Sequence, residues 1–216
     1  MEFTTILFDL DGTLTDPFEG ITNSVAYALK KMGITPPKNS ELKKFIGPPL
    51  AESFEKFYGL SKEESYKAVD IYREYFAPKG IFENTIFKGI PEMLASLKKA
   101  EKRLALATSK PTVFAKKILK HFNIDKYFDV VVGSNLDGSM TDKAEVVAAA
   151  LKGLGAVEPS ATVMVGDRSH DIIGGIKNGI CTVGVTFGYG TKEELEQFHA
   201  DYIAGSVDEL KNILLG

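Results

Sequence analysis

Ile6-Leu7-Phe8-Asp9-Leu10-Asp11-Gly12-Thr13-Leu14-Thr15 decides how the rest of this chain is read. An apolar run beginning near Thr4 predicts a strand as far as Leu10, and it carries two carboxylates one residue apart at its end. Gly12-Thr13 then turns the backbone. Side chains alternate along a strand, so Asp9 and Asp11 are expected on one face. Two like charges about 4 Å apart repel by about 4 kcal/mol at an effective dielectric of about 20. A folded chain keeps such a pair where a cation or a proton exchange uses it.

Short apolar runs of the same kind recur at Leu104–Thr108, Val130–Gly133, Thr162–Gly166, Cys181–Thr186 and Tyr202–Ala204. Most are apolar on both faces, which is how buried parallel strands read. Helical patterns lie between them. Pro91 and Pro111 open two helices. Thr191 with Glu194, and Ser206 with Glu209, read as capping boxes, and Asn178-Gly179 reads as a helix stop. This alternation predicts an α/β domain with a parallel sheet over residues 1–15 and 85–216.

Residues 16–84 break the rhythm. Ile21, Val25, Leu29 and Met32 fall at helical spacing, with Gly33 as a stop. Ser40 begins a second helix that ends at Gly47-Pro48-Pro49. A third covers Ala51–Tyr58, and Ser61 with Glu64 caps a fourth that runs to about Phe76. No strand is expected here. The pattern predicts an α-helical cap domain inserted after the first strand, over a crevice at the strand ends where such sheets bind ligands.

Lys plus Arg number 26 and Asp plus Glu 29, a net charge of −3. That balance disfavours a nucleic acid polymer or an anionic membrane as partner, since both favour a basic surface. The single cysteine, Cys181, excludes an intrachain disulfide and is expected to pack in the core. Met1 leads almost at once into the first strand, and no apolar run reaches spanning length, so a cytoplasmic protein is expected.

Four strand ends or helix starts carry the candidate chemistry. The first has Asp9, Asp11 and Thr13. The second has Thr108-Ser109-Lys110 ahead of Pro111, where two hydroxyls and the N–H groups of a helix start suit a phosphate. Lys143 opens the helix Ala144–Leu151. The last is Gly166-Asp167-Arg168-Ser169-His170-Asp171, whose two aspartates share a face if the turn is already helical. Hard carboxylate oxygens suit Mg²⁺. A metal and a lysine would let a carboxylate approach a phosphate dianion and attack phosphorus, while a second carboxylate protonates the leaving oxygen and then activates water.

Each group also has a plainer reading. A lone pair of aspartates marks a turn, Thr108 and Ser109 serve as N-caps, and Lys110 is a surface lysine. His121, His170 and His199 are surface or loop residues. Gly47-Pro48-Pro49 is either a rigid helix break or a loop that reads substrate.

Phe8-Asp9-Leu10-Asp11-Gly12-Thr13-Leu14, Thr108, Lys143 and Gly166-Asp167-Arg168-Ser169-His170-Asp171, in this order and spacing, resemble the haloacid dehalogenase superfamily. Within it they are similar to phosphatases with a helical C1-type cap, such as phosphoglycolate phosphatases. The resemblance implies a Rossmann-like three-layer core and Mg²⁺-dependent hydrolysis through an aspartyl-phosphate. It implies Asp9 as nucleophile and metal ligand, and Asp11 as acid/base with its carbonyl on the metal. Thr108, Ser109 and Lys143 would hold the phosphoryl group, Asp167 would ligate Mg²⁺, and Asp171 would support it. The commonest third motif has lysine followed by proline. Here Asp142 precedes Lys143 and Ala144 follows it, which leaves Lys110 as a rival for the basic position or as a substrate contact. The implied partner is a small phosphorylated metabolite, phosphoglycolate-like, with a 5'-nucleotidase as the alternative and a monomer or homodimer as the assembly. A nucleotide would want an aromatic platform, for which Phe45, Phe54, Phe57 and Tyr58 are available; Phe45 and Gly47 are the candidate cap contacts. A sugar phosphomutase is less favoured, because residues 16–33 lack the histidine related mutases carry. A dehalogenase would not need Asp11. A phosphonatase would need a cap lysine, and Lys30, Lys31 and Lys56 lie in no recognisable setting. Intact motifs argue against a non-catalytic binding protein.

Overall fold

In the computed structural model, which describes residues 2–216, the chain runs β1 (Thr5–Phe8), β2 (Thr15–Asp16), α1 (Phe18–Lys31), α2 (Asn39–Leu42), α3 (Leu50–Tyr58), α4 (Lys62–Phe76), β3 (Thr85–Ile86), α5 (Ile90–Lys99), β4 (Arg103–Pro111), α6 (Thr112–His121), β5 (Val130–Ser134), α7 (Lys143–Leu154), β6 (Thr162–Gly166), α8 (Ser169–Lys177), β7 (Cys181–Val185), α9 (Lys192–Gln197), β8 (Tyr202–Ala204) and α10 (Val207–Leu215). It forms two units. One takes the chain up to Asp16 together with Ile86–Gly216, and the other is Pro17–Thr85.

The first unit is built on a six-stranded parallel sheet in the order β5-β4-β1-β6-β7-β8. All four residues of β1 are buried, as a strand covered on both faces must be. Leu7, Ala105, Ala107 and Met164 meet Val146, Val147 and Ala150 of α7 in one apolar cluster. The small Ala105 and Ala107 let the helix approach the sheet closely. α7 also packs beside α8, and α5 packs against α10. Helices flanking a parallel sheet make the three-layer, Rossmann-like α/β architecture.

Register decides where the site forms. Phe8 lies beside Leu106 on one side and Val165 on the other. The residues that follow, Asp9, Ala107-Thr108 and Gly166-Asp167, therefore lie side by side at one end of the sheet, where β1 and β6 stop and β4 runs on to Pro111. β1 stops at Phe8, two residues short of the expected end. Asp9 and Asp11 are thus brought together by a turn and not by strand alternation. The N–H groups of Thr13, Leu14 and Thr15 all point to the Leu10 carbonyl, and Gly12 takes φ +84°, a conformation open to glycine.

In the second unit α1 and α3 both pack against α4. Ser61 and Glu64 complete the expected capping box, with Ser61 Oγ accepting from the Glu64 N–H at 3.3 Å and Glu64 Oε2 from the Ser61 N–H at 2.8 Å. Where one helix was expected from Ser40 to Gly47, the chain makes α2 and then a 3₁₀ turn, Lys43–Phe45. Gly47 at φ +104° and two prolines cannot continue it. The expected aromatic platform is largely interior. Phe45 is 1% exposed and packs on Phe54, Phe57 and Tyr58, with ring centroids 5.0, 5.4 and 6.1 Å away, and Phe54 is fully buried. Lys44 Nζ already sits 4.3 Å over the Phe57 ring. Phe45 is therefore a core residue of this unit and offers no open face, while Gly47 is exposed. Among the described residues, no helix is long and apolar enough to cross a membrane.

Candidate active site

Lys143 stands at the centre of the strand-end edge. Asp142, the residue that departs from the usual motif, is the N-cap of α7: its Oδ1 accepts from the Ala144 N–H at 2.8 Å. That cap makes Lys143 the first helical residue. Its stem lies on Gly174 of α8, where a Cβ would come within 2.8 Å of Lys143 Cγ. Its Nζ pairs with Asp9 Oδ1 at 2.8 Å and Asp171 Oδ1 at 2.8 Å, and donates to the Ala107 carbonyl at 3.2 Å. An ammonium has three donors, and here all three are matched. Burial alone would lower the Lys143 pKa. The Asp171 and Asp9 carboxylates outweigh it and raise the value above that of an ordinary lysine.

Lys110 is not the alternative to Lys143 but a second cation of the same site. Its Nζ lies 2.8 Å from Asp11 Oδ2, and both side chains are largely buried. Asp11 nonetheless has a raised pKa, because burial, reinforced by the Asp9 charge, exceeds the lowering by Lys110. β4 runs on through Lys110 to Pro111, with a register shift against β5 between Thr108 and Pro111, and α6 begins at Thr112. Thr108-Ser109-Lys110 are therefore a bulged strand end rather than a helix start. Thr108 is buried and its Oγ1 accepts from the Lys110 N–H at 3.3 Å, which leaves its own hydrogen to donate. Ser109 turns its hydroxyl to the Thr141 carbonyl at 3.4 Å.

Carboxylate oxygens of Asp9, Asp167 and Asp171 lie within 4.8 Å of one another, all three residues buried. Burial raises the Asp167 pKa well above the ordinary carboxylate value, and Asp171 and Asp9 add to it. Burial raises Asp171 too, against the pull of Lys143. Asp167 Oδ1 is buried with no hydrogen-bond partner. With Asp11 included, four carboxylates face two ammonium groups, so the fully ionised site carries a formal excess of two negative charges. An orphaned hard oxygen in a cluster short of two positive charges fits a divalent cation such as Mg²⁺.

The sequence reading missed the loop after β7. The Tyr189 N–H donates to Asp167 Oδ2 at 2.7 Å, and the Tyr189 hydroxyl donates to Asp16 Oδ1. A Cβ on Gly188 would strike the Gly12 carbonyl, and one on Gly190 the Asp167 carbonyl. The signal was Gly188-Tyr189-Gly190, separated from the end of a strand by two residues, where close backbone approach calls for glycine. Glu194 was expected to close a box with Thr191. Thr191 does cap the Glu194 N–H at 3.2 Å, but the Glu194 carboxylate goes instead to Arg168 and to the Ser169 N–H. Similarly, Glu209 Oε2 takes the Gly205 N–H in place of the expected Ser206 N–H. His170 is exposed, and Cys181, expected in the core, is half-buried.

A family model described as haloacid dehalogenase-like hydrolase matches residues 6–185. A 5'-nucleotidase of Pseudomonas aeruginosa is 42% identical over 214 residues, 99% of this chain and 96% of that protein. The tyrosine-protein kinase PtkA of Mycobacterium tuberculosis is 40% identical over 211 residues, 97% of this chain and 72% of that protein. Among solved structures, that of a predicted phosphatase from Clostridium acetobutylicum aligns with a TM-score of 0.95 at 47% identity, covering 100% of this chain and 99% of that one.

Proposed function

We propose, on the premise that this chain belongs to the haloacid dehalogenase-like hydrolases and is a phosphatase of that family, that it hydrolyses small phosphomonoesters through an aspartyl-phosphate on Asp9. The observation that carries this reading is the pairing of each candidate carboxylate with its own lysine at 2.8 Å, Asp9 with Lys143 and Asp11 with Lys110. Each aspartate of the turn therefore has a cation beside it, which lets both carboxylates stand close to a phosphate dianion.

An Asp9 carboxylate oxygen attacks phosphorus, and the bond from phosphorus to the ester oxygen breaks. Asp11, whose raised pKa suits a general acid, gives its proton to the leaving oxygen. Asp11 then takes a proton from water as that water attacks the phosphorus of the acyl phosphate, which frees Asp9 and releases phosphate. Lys143 keeps positive charge beside Asp9 throughout, and the Thr108 hydroxyl is available to a phosphoryl oxygen. Asp9, Asp167 and Asp171, with the Asp11 carbonyl, are the groups we assign to Mg²⁺, which when bound supplies the charge compensation a phosphate dianion needs beside carboxylates. All of these residues belong to the α/β unit, and we assign choice of leaving group to the helical unit.

A panel of phosphomonoesters assayed with Mg²⁺ tests the reading. Nucleoside 5'-monophosphates should exceed phosphoglycolate in kcat/KM, a ranking supported by the Pseudomonas relative. Chelation should abolish turnover and Mg²⁺ should restore it; full activity after exhaustive chelation would falsify the metal assignment.

Metal and pH should also be linked in stability. Asp11, Asp167 and Asp171 have raised folded-state pKa values, with burial the leading cause. In the metal-free protein their contribution is fully present below about pH 4, the unfolded carboxylate value, and is lost as pH rises through the raised values. Mg²⁺ competes with the protons of Asp167 and Asp171, whose carboxylates we assign to it. The gain in Tm from saturating Mg²⁺ should therefore grow as pH rises above about 4, the unfolded carboxylate value. Thermal unfolding with and without Mg²⁺ across that range checks this, and a gain independent of pH contradicts it.

A further inference from the structure

The loop that carries Asp167 and Asp171 is held at three points, one within the loop and two by residues that follow β7. Asp171 Oδ2 accepts from the Arg168 N–H at 3.1 Å, which ties the loop to the first turn of α8. The Tyr189 N–H holds Asp167 Oδ2 at 2.7 Å. The third point is Glu194, whose Oε1 accepts from the Ser169 N–H at 2.8 Å while both its oxygens receive the Arg168 Nε–H at 3.2 and 3.3 Å. Both members of the Arg168–Glu194 pair are about three-quarters covered.

Two features set this pair apart from an exposed ion pair. The carboxylate caps an N–H at the start of α8, between the two aspartates, so it acts on the backbone that carries them. Its own origin is also fixed, since Thr191 caps the Glu194 N–H and makes this residue part of the first turn of α9. Burial works against the Glu194 charge, but the bonds from Ser169 and Arg168 hold its pKa below the ordinary glutamate value, so the charge persists at neutral pH. Glu194 touches none of the four site carboxylates directly. Arg168 and Ser169 lie immediately after Asp167 and within one turn of Asp171.

We propose that Glu194 is a positioning residue for the acidic loop: through Ser169 and Arg168 it holds Asp167 and Asp171 in the arrangement that binds the divalent cation, and so sets metal affinity. This rests on the metal reading given above. Partners that orient a ligand loop without contacting the ion commonly change metal affinity by about 10- to 100-fold.

The test is calorimetric titration of the full-length protein with Mg²⁺, alongside kcat measured as a function of Mg²⁺ on one phosphomonoester. Glu194→Ala should weaken Mg²⁺ binding by about tenfold or more. Its kcat should return towards the wild-type value at saturating Mg²⁺, because the reacting groups are untouched. Glu194→Gln keeps an oxygen for the Ser169 N–H and loses the charge facing Arg168, so it should fall between. Glu193→Ala, an exposed neighbour on the same turn, should leave the affinity unchanged. A role in folding alone would lower Tm and leave the affinity of the folded protein as it was. If the wild type binds Mg²⁺ and Glu194→Ala binds it equally well, the positioning role is wrong while the metal reading stands. If the wild type itself binds no Mg²⁺, the metal reading fails and takes this proposal with it. Should Glu194→Ala not fold, Glu194→Gln and Arg168→Met decide the matter on the same criterion.

Discussion

Asp9→Asn is expected to remove turnover, by at least about 10⁴-fold, because a neutral amide is not a nucleophile and the remaining groups cannot replace it. The same substitution should leave the metal-free protein at least as stable as the wild type. Asp9 is one of three buried carboxylates whose oxygens lie within 4.8 Å of one another, and its charge helps raise the pKa of both Asp167 and Asp171. Removing that charge relieves like-charge repulsion. Lys143 meanwhile keeps Asp171 at 2.8 Å and the Ala107 carbonyl at 3.2 Å. A function bought at the expense of stability is the expected signature of such a site. Steady-state kinetics, mass spectrometry for phosphorylated Asp9 and metal-free thermal unfolding check the three parts. Turnover above about 1% of wild type would sink the covalent scheme, given the loss expected for a missing nucleophile.

Lys143→Met should act in the opposite sense on stability. It keeps most of the stem on Gly174 but leaves Asp9 and Asp171 facing each other without a cation. Breaking a buried pair by removing one partner costs roughly 3–5 kcal/mol, and here one lysine serves two acids. Catalysis should fall by about 10²- to 10³-fold, as for other losses of preorganised charge stabilisation. The fall should be nearly equal for every phosphomonoester, since all share the phosphoryl group. Urea unfolding and a substrate panel measure both effects. A loss confined to one substrate, or unchanged stability in the metal-free protein, would contradict the placement of Lys143.

The groups that carry the chemistry were legible because they are local. An apolar run too uniformly buried to be anything but a central strand, followed at once by Asp9, Asp11 and Gly12, marks a parallel-sheet edge before any coordinates are known. So does Gly166-Asp167 after Thr162–Val165. β1 then lies in parallel register beside β4 and β6, although the whole helical unit separates β1 from β4 in the chain, and that register brings Asp9, Thr108 and Asp167 to one edge. Ser61 and Glu64 were readable for the same reason: three residues apart, they need nothing but each other.

What tertiary structure alone decided is which partner each long side chain takes. Lys110 reaches Asp11, 99 positions earlier, and Lys143 reaches both Asp9 and Asp171, because adjacent strand ends place those acids within an ammonium's length. Thr191 and Glu194 read as a closed local box, yet the carboxylate is diverted to Arg168 and Ser169, which packing brings near it. Phe45 read as an available aromatic face and is sealed by Phe54, Phe57 and Tyr58. Backbone turns and caps answer to neighbours a few residues away, which the sequence displays. A flexible charged or aromatic side chain answers to whatever the fold sets within its reach, and that depends on the stacking of elements far apart in the chain.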